Sequence, residues 1–325
     1  MNTFRTVLQI PDKFHFITHQ TPIFSIGSCF AEAIGNRLSA NKFQVLPNPF
    51  GTIFSPMAIF KIFKILFGKE TVWSEGFIEN PDKIWYHYDF HSSLRATQRS
   101  ELDSLLKNQI LMAQDFLEKA KVCIITLGTA WAYRHIASHR IVANCHKMPQ
   151  HHFEKILISV EEICKEYDNI APLLGRYQII LTVSPVRHLK DTLPLNAVSK
   201  SVLRLACHYL QEKHPNTHYF PAFEFVNDDL RDYRFYAEDM LHINPQAEDY
   251  IWQHFVETFI SPSSQDLLKK WAKISRQLHH KPFLVSSEKH QIFLKKLQEE
   301  LLHISQHIDV KAEMQSVREQ LLSSS

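Results

Sequence analysis

The sequence predicts an α/β fold: a doubly wound, mostly parallel sheet flanked by helices, with a helical extension at its C-terminal end. Three observations predict it. Three short runs, Ile23–Ile26, Val122–Leu127 and Tyr177–Val183, are apolar almost without interruption, as strands of a parallel sheet read when helices cover both faces. Stretches of helical periodicity lie between these runs, the alternation that builds such sheets. After about residue 261 the chain turns charged and helical.

Taken in order, Ile23–Ile26 leads through Gly27 into a helical pattern over Phe30–Leu38, with Phe30, Ile34 and Leu38 on one face. Pro47–Pro56 is rich in proline and aromatic residues and reads as a loop, followed by a helix over Ala58–Phe67. Trp73–Ser92 reads as a second loop. A helix over Leu102–Ala120 precedes the strand Val122–Leu127, which ends at Gly128. A helix over Val160–Tyr167 precedes Tyr177–Val183, which stops at Ser184-Pro185, and a helix over Ser199–Glu212 completes the alternation. SPSSQ at 261–265 is a linker or helix-cap sequence. Beyond it the chain carries Lys295-Lys296 and Glu299-Glu300 on exposed faces and one brief apolar run, Phe283–Val285. The expected organisation is an α/β domain over 1–261 and a helical extension over 262–325, packing on the domain or on a partner, a second copy of the chain included. No motif residue lies in the extension, so it is expected to be dispensable for the site.

Composition narrows the function. Hydrophobic residues make up 45% and charged residues 22%, which excludes disorder as the main description. The formal charge is only +2, without a basic stripe, so nucleic acid is not an expected partner. No run reaches the roughly 18 apolar residues of a membrane span, and the opening MNTFRTVLQIPDKFHF has no signal-peptide pattern. Five cysteines (Cys29, Cys123, Cys145, Cys164 and Cys207) stand far apart without a C-x-x-C pair, which reads as reduced thiols in a cytoplasmic protein. The 20 histidines do not fall at metal-ligand spacings beside carboxylates. No metal and no cofactor is expected.

Chemistry is sought at the carboxyl ends of the strands, where open α/β sheets bind ligands. At the first end stand Gly27-Ser28-Cys29. The glycine permits a sharp turn, and the next residues lie at a helix N-terminus whose free N–H groups favour an anion. A Ser-Cys pair there suits a nucleophile; Ser28 as a helix cap and Cys29 as a small buried residue is the plainer reading. A thiol so placed is expected to have a lowered pKa. Near the other end of the domain, Asp239 precedes His242 by three residues, spacing that lets a carboxylate orient an imidazole serving as general base. Other polar residues are candidates for the pocket. His91, His146, Arg187 and His188 suit recognition of a carboxylate or sugar, although His146 and His188 fit a surface position equally. Trp85-Tyr86-His87-Tyr88 suits stacking on a sugar ring or, more simply, packing.

The segment IGSCFAEAIGNRL at 26–38, with Asn48-Pro49-Phe50-Gly51, Asp89-Phe90-His91-Ser92, Gly128-Thr129-Ala130-Trp131, Asn144-Cys145-His146-Lys147, Ser184–His188 and Arg231–His242, resembles the GSCFA family, a group related to SGNH/GDSL-type hydrolases. The resemblance spans roughly residues 20–260. It implies ester hydrolysis or acyl transfer on a small molecule or glycan through a covalent acyl-enzyme. In the register that keeps the turn glycine, Cys29 takes the nucleophile's place; sliding by one residue gives that place to Ser28. Asp239 and His242 match the last block. Gly51 matches the glycine whose N–H helps hold the oxyanion, and Asn48 lies three residues before it. The block that normally supplies an asparagine reads Gly128-Thr129-Ala130-Trp131, so the expected asparagine is missing and Asn144 is the candidate replacement. A binding module that kept the fold without a complete oxyanion hole is the alternative.

Overall fold

The structure is a computed structural model that describes residues 6–280 and 287–322; the run Phe283–Val285 lies outside the described residues. Strand β1 (Ile23–Gly27) runs into helix α1 (Cys29–Ala40), followed by β2 (Val45–Pro47) and α2 (Pro56–Leu66). The hairpin β3 (Phe77–Glu79) and β4 (Trp85–His87) and the helix α3 (Arg99–Lys119) lead to β5 (Val122–Leu127). After β6 (Trp131–His135), β7 (Ile141–Val142) and β8 (Phe153–Leu157) come α4 (Val160–Leu174), β9 (Gln178–Val183), α5 (Thr192–Lys213) and β10 (Thr217–Phe220). A single turn, α6 (Ala222–Glu224), runs into π-helical Phe225–Leu230. The remaining helices are α7 (Pro245–Phe259), α8 (Pro262–Leu278), α9 (Glu288–Ile304) and α10 (Lys311–Leu322).

The central sheet has five strands in the order β10-β9-β5-β1-β2, all parallel. The chain first steps from β1 out to β2, then returns to add β5, β9 and β10 on the other side of β1. This order has its topological switch point between β1 and β5, where the loops leave the sheet in opposite directions and open a crevice at the strands' carboxyl ends. Register aligns those ends, with Gly27 opposite Thr126 and Leu127 opposite Val183.

Burial explains why these strands read as continuous apolar runs: every residue of β1 and β5 is buried, and every residue of β9 after Gln178. One core joins Phe24, Ile26, Cys123, Ile125, Ile179 and Leu181 of the sheet to Ile59 and Phe63 of α2, Ile163 and Tyr167 of α4, and Leu203 and Leu210 of α5. Each large side chain so buried contributes about 1.5–3 kcal/mol. A capping box starts α4: Glu162 N–H donates to Ser159 Oγ (3.1 Å) and Ser159 N–H to the Glu162 carboxylate (2.8 Å).

One expectation is corrected, and one stretch that the sequence left unassigned takes shape. Trp73–Ser92 is not all loop, because it holds the antiparallel hairpin β3–β4. Residues 131–157 form an antiparallel sheet in the order β7-β6-β8. These strands are two to five residues long and carry exposed or half-exposed residues such as Tyr133, Arg134, Glu154 and Lys155, so no apolar run marks them.

The chain divides into two compact units. The first comprises the residues up to Ile10, Pro22–Asn36 and Val45–His254, and holds the whole central sheet. The second comprises Pro11–Thr21, Arg37–Gln44 and the chain from Phe255 onward. Its own core gathers Trp271 and Ile274 of α8, Leu294, Leu297 and Leu301 of α9, and Val317 of α10. Trp271 Nε1 donates to Ala40 O at 2.8 Å and Lys42 pairs with Glu313 at 2.6 Å, so the end of α1 is knit to these helices.

Candidate functional site at the strand ends

The site starts from the turn between β1 and α1. Gly27 has φ +142°, and a Cβ placed on it would lie 2.1 Å from Thr126 O; only glycine lets β1 approach β5 so closely. Asn48 braces the same turn: Gly27 N–H donates to Asn48 Oδ1 (2.9 Å), and Asn48 Nδ2 donates to Ser28 O (3.4 Å). Asn48, read from the sequence as a substrate-binding residue, is thus occupied in holding the turn. Ser28 is wholly buried, and its Oγ accepts the N–H of Phe30 at 3.3 Å, which makes it the cap of α1 rather than a displayed hydroxyl. Cys29, the first residue of α1, is part-exposed. Of the two candidates, the thiol is the one that can be reached.

Burial is the largest influence on the Cys29 thiol and raises its pKa, against the lowered value expected from the sequence. Opposing it are the positive charge of Lys200, then the N–H groups of Phe30 and Cys29 itself; Glu32 adds to the rise. Helix position therefore does favour the anion, but less than desolvation disfavours it.

Lys200 was not singled out by the sequence. It is only 1% exposed, and its ammonium reaches the ends of two strands at once, donating to Gly128 O and Ser184 O, each at 2.7 Å. Burial brings its pKa down to about 7, with the nearby Cys29 acting in the opposite sense. Neighbours on the same face of α5 do related work. Ser199 Oγ accepts Ala130 N–H (2.8 Å) and lies 2.9 Å from Thr129 Oγ1, while Asn196 Oδ1 accepts His188 N–H (3.0 Å). The sequence held a signal for these three. Counting back from the buried Leu203, Ala206, Cys207 and Leu210 at helical spacing puts Asn196, Ser199 and Lys200 on the same inward face, where polar residues are retained only with partners.

The end of β9 brings in the last motif. Arg187 N–H donates to Leu241 O (3.3 Å), and the Arg187 guanidinium lies over Tyr236 (4.1 Å) and Tyr233 (5.2 Å). Arg187 thus fastens the 233–242 segment to the strand end; its sequence expectation was a role in the pocket. Within that segment Asp239 Oδ1 accepts the N–H groups of Leu241 and His242 (both 2.9 Å), and Oδ2 lies 2.6 Å from His242 Nδ1. These bonds, the imidazole's first, hold the Asp239 carboxyl down at about 2. A carboxylate only accepts, so Nδ1 carries the proton and Nε2 is left free of this bond. His242 is exposed. His188 joins the two groups: its neutral form is favoured first by burial, then by the charge of Lys200, with His242 adding to the effect, so that its pKa falls to about 4. Its Nε2 is buried without a hydrogen-bond partner. Cys29 and Lys200, Lys200 and His188, and His188 and His242 thus influence one another's charge.

The other expected residues lie along a second chain of contacts. Gly51 has φ +73°, and a Cβ there would meet His91 Cβ at 2.5 Å. Its N–H, expected to hold an oxyanion, donates instead to Asn48 O (2.8 Å) and closes a tight turn. His91 feels the charge of Glu32, which also acts on Cys29. His146 is buried and stacked on Tyr86 (4.7 Å), with Nδ1 3.2 Å from Ser92 Oγ and Nε2 2.9 Å from His87 O; desolvation lowers its pKa to about 4. Asn144 Oδ1 accepts His146 N–H (2.8 Å) and Asn144 N–H donates to Tyr88 O (3.2 Å). Its carbonyl oxygen is thus turned to its own loop. Tyr86, His87 and Tyr88 are buried and pack. A groove of about 840 Å³ lined by Val72, Phe77, Trp85, Arg99, Asp103 and Lys107 contains none of the strand-end residues. Among the described residues, no group of three or more His, Cys, Asp or Glu is placed to hold a metal ion, and no helix is long and apolar enough to cross a membrane.

No curated protein and no solved structure matches the chain. Two family descriptions do: residues 271–323 match the C-terminal domain of GSCFA domain proteins, and residues 22–255, which hold the strand ends, Cys29, Lys200, His188 and the Asp239–His242 pair, match the GSCFA family. The chain belongs to the GSCFA family.

Proposed function

We propose that the protein is an ester hydrolase or acyltransferase of SGNH-like type, acting on an ester of a small molecule or glycan through an acyl-enzyme on Cys29. One observation carries this reading: at the switch point of the sheet a reachable thiol begins a helix, while a carboxylate-oriented imidazole stands in the segment after β10 that Arg187 fastens to the end of β9. In the reaction His242 takes the Cys29 thiol proton as the sulfur attacks the acyl carbon, the Cys29 N–H at the helix start stabilises the negative charge, and the proton passes to the alcohol oxygen as the acyl C–O bond breaks. His242, oriented by Asp239, then takes the proton of the water or alcohol that releases the acyl group.

The second reading is a ligand-binding module without turnover. It is favoured by the Gly51 N–H and the Asn48 amide both being engaged inside the protein. Hydrolysis of a chromogenic acetyl ester separates the two. The enzyme reading expects turnover that Cys29→Ala abolishes and Ser28→Ala only reduces; rates at the uncatalysed background for the wild-type protein leave the binding module.

A further inference from the structure

We propose that the outward face of α5 is a homodimer interface, in which a second copy of the chain lays its own α5 antiparallel across the same face. This does not depend on the acyl-transfer reading and stands or falls without it.

The face is written in the spacing of the helix. Leu195, Val198, Val202, Leu205 and Tyr209 follow one another at intervals of three, four, three and four residues, the repeat by which one helix sets its side chains into the holes of a facing helix. A helix of a globular domain turns such a stripe to its own core. In α5 the core takes a different stripe, Leu203, Ala206, Cys207 and Leu210, while Asn196, Ser199 and Lys200 bond to the strand ends and their loops. The second stripe is left outside. Leu195, Val198, Leu205 and Tyr209 are 41–49% exposed, and Val202 is half-buried. No charged residue falls among the five, and the exposed residues beside them, Pro194 and Ser201, are uncharged and compact.

The patch continues past the helix. Trp131 Nε1 donates to Leu195 O at 3.2 Å, and Trp131 pairs across the strands with Leu157. Alternation along β6 puts Tyr133 on the same side of its sheet as Trp131, and both Leu157 and Tyr133 are exposed. Lys155, on that side too, is already paired with Asp191. At about 200 Å² per large side chain, the six exposed apolar residues of helix and sheet present roughly 500 Å², the size of patch that marks an interaction surface.

A second copy fits this surface in shape, area and charge. A seam of alternating three and four is the complement of a like seam, so the face matches itself. Pairing two copies buries roughly 1,000 Å² of apolar surface, and a polar rim around it gives the roughly 1,200–2,000 Å² of a specific interface. Charge sets the direction. Lys190 stands just before α5 and Glu212 in its last turn, both exposed; Glu212 also meets His208 of its own helix at 3.3 Å, and Lys213 beside it is paired with Asp168. Antiparallel pairing centred on Val202 sets Leu195 of one copy against Tyr209 of the other and brings each Glu212 to the Lys190 end of its partner. Parallel pairing sets Glu212 against Glu212. The antiparallel arrangement also opposes the two helix dipoles, and it is a closed two-fold contact that adds no third copy.

Sedimentation velocity of the full chain in low salt, over about 1–100 µM, tests the interface in the range where contacts of this size dissociate. A monomer–dimer equilibrium is expected. Leu205→Asp is expected to raise the dimer dissociation constant about tenfold or more, since a two-fold contact receives the new charge twice, with an unchanged circular dichroism spectrum. Should that variant fail to fold, Lys190→Glu and Glu212→Lys decide: each alone weakens the dimer, and the two together restore it. A wild-type protein that is monomeric throughout, a dimer that folded Leu205→Asp leaves intact, or charge variants without restoration overturn the proposal.

Discussion

Replacing Gly27 with alanine tests the turn on which the site is built. The added Cβ would lie 2.1 Å from Thr126 O and 2.9 Å from Thr126 C and N, all of them backbone atoms that no rotamer change can move. Relief requires the ends of β1 and β5 to separate by about 1 Å, since nonbonded carbon and oxygen atoms rest above 3 Å. Three hydrogen bonds meet at that point: Ser28 N–H to Thr126 O (3.1 Å), Gly27 N–H to Asn48 Oδ1 (2.9 Å) and Ile53 N–H to Gly27 O (2.8 Å). Weakening them costs about 1 kcal/mol each, and φ +142° adds roughly 1–3 kcal/mol for a residue with a side chain. The sum is about 4–6 kcal/mol, a large part of a typical domain's stability. Urea denaturation followed by circular dichroism reads it directly. Gly175→Ala is the control, because a Cβ there meets nothing closer than 3.7 Å and the residue has φ −60°. The reasoning is refuted if Gly27→Ala shifts the urea midpoint no more than Gly175→Ala does.

Other outcomes follow from the same contacts. His146 is held neutral, its pKa lowered from 6.5 to about 4 by burial. The unfolded chain therefore takes up that proton first, and this contribution is full above about pH 6.5 and lost as the pH falls toward 4, at up to about 1.4 kcal/mol per pH unit. Urea midpoints at pH 7.5, 6 and 5 check it, with His146→Gln flattening the slope; a stability that rises on acidification contradicts it. Asp239→Asn removes the charge beside His242 at an exposed position, so it is expected to leave the melting temperature unchanged while lowering ester turnover on the order of 100-fold or more. Equal turnover by the variant would detach Asp239 from the reaction. Ser28→Ala removes the cap on Phe30 N–H and is expected to lower stability by about 1 kcal/mol, seen as a shifted midpoint with alkylation of Cys29 retained.

The central sheet was legible because its strands are buried on both faces, which leaves no polar alternation to confuse the reading. Ile23–Ile26, Val122–Leu127 and Tyr177–Val183 each fall within one residue of a strand. Helix α4 was read as ending at Tyr167 but continues through Pro172 to Leu174. The strands between 131 and 157 were not legible, since a two- to five-residue antiparallel strand with one wet face has almost no period to detect. At the site, motif order pointed to Cys29, Asp239 and His242, and the Asp239–His242 hydrogen bond is as the spacing implied. The roles of Asn48 and Gly51 were not legible, because whether an amide faces a ligand or its own turn depends on φ, and Asn48 (+39°) and Gly51 (+73°) both lie in the left-handed region. Lys200 was hidden for a different reason. One lysine in a helix is unremarkable until the apolar face is traced back to it and its two strand-end carbonyls are seen.

The most direct test of the account is intact-mass analysis after incubation with a chromogenic acetyl ester, with the adduct mapped by peptide sequencing. Acyl transfer at the strand ends predicts a single acetyl group on Cys29 that builds up within the burst, is lost on standing, and is absent from Cys29→Ala. An acetyl group on Ser28 or another residue, or turnover that survives in Cys29→Ala, would contradict it.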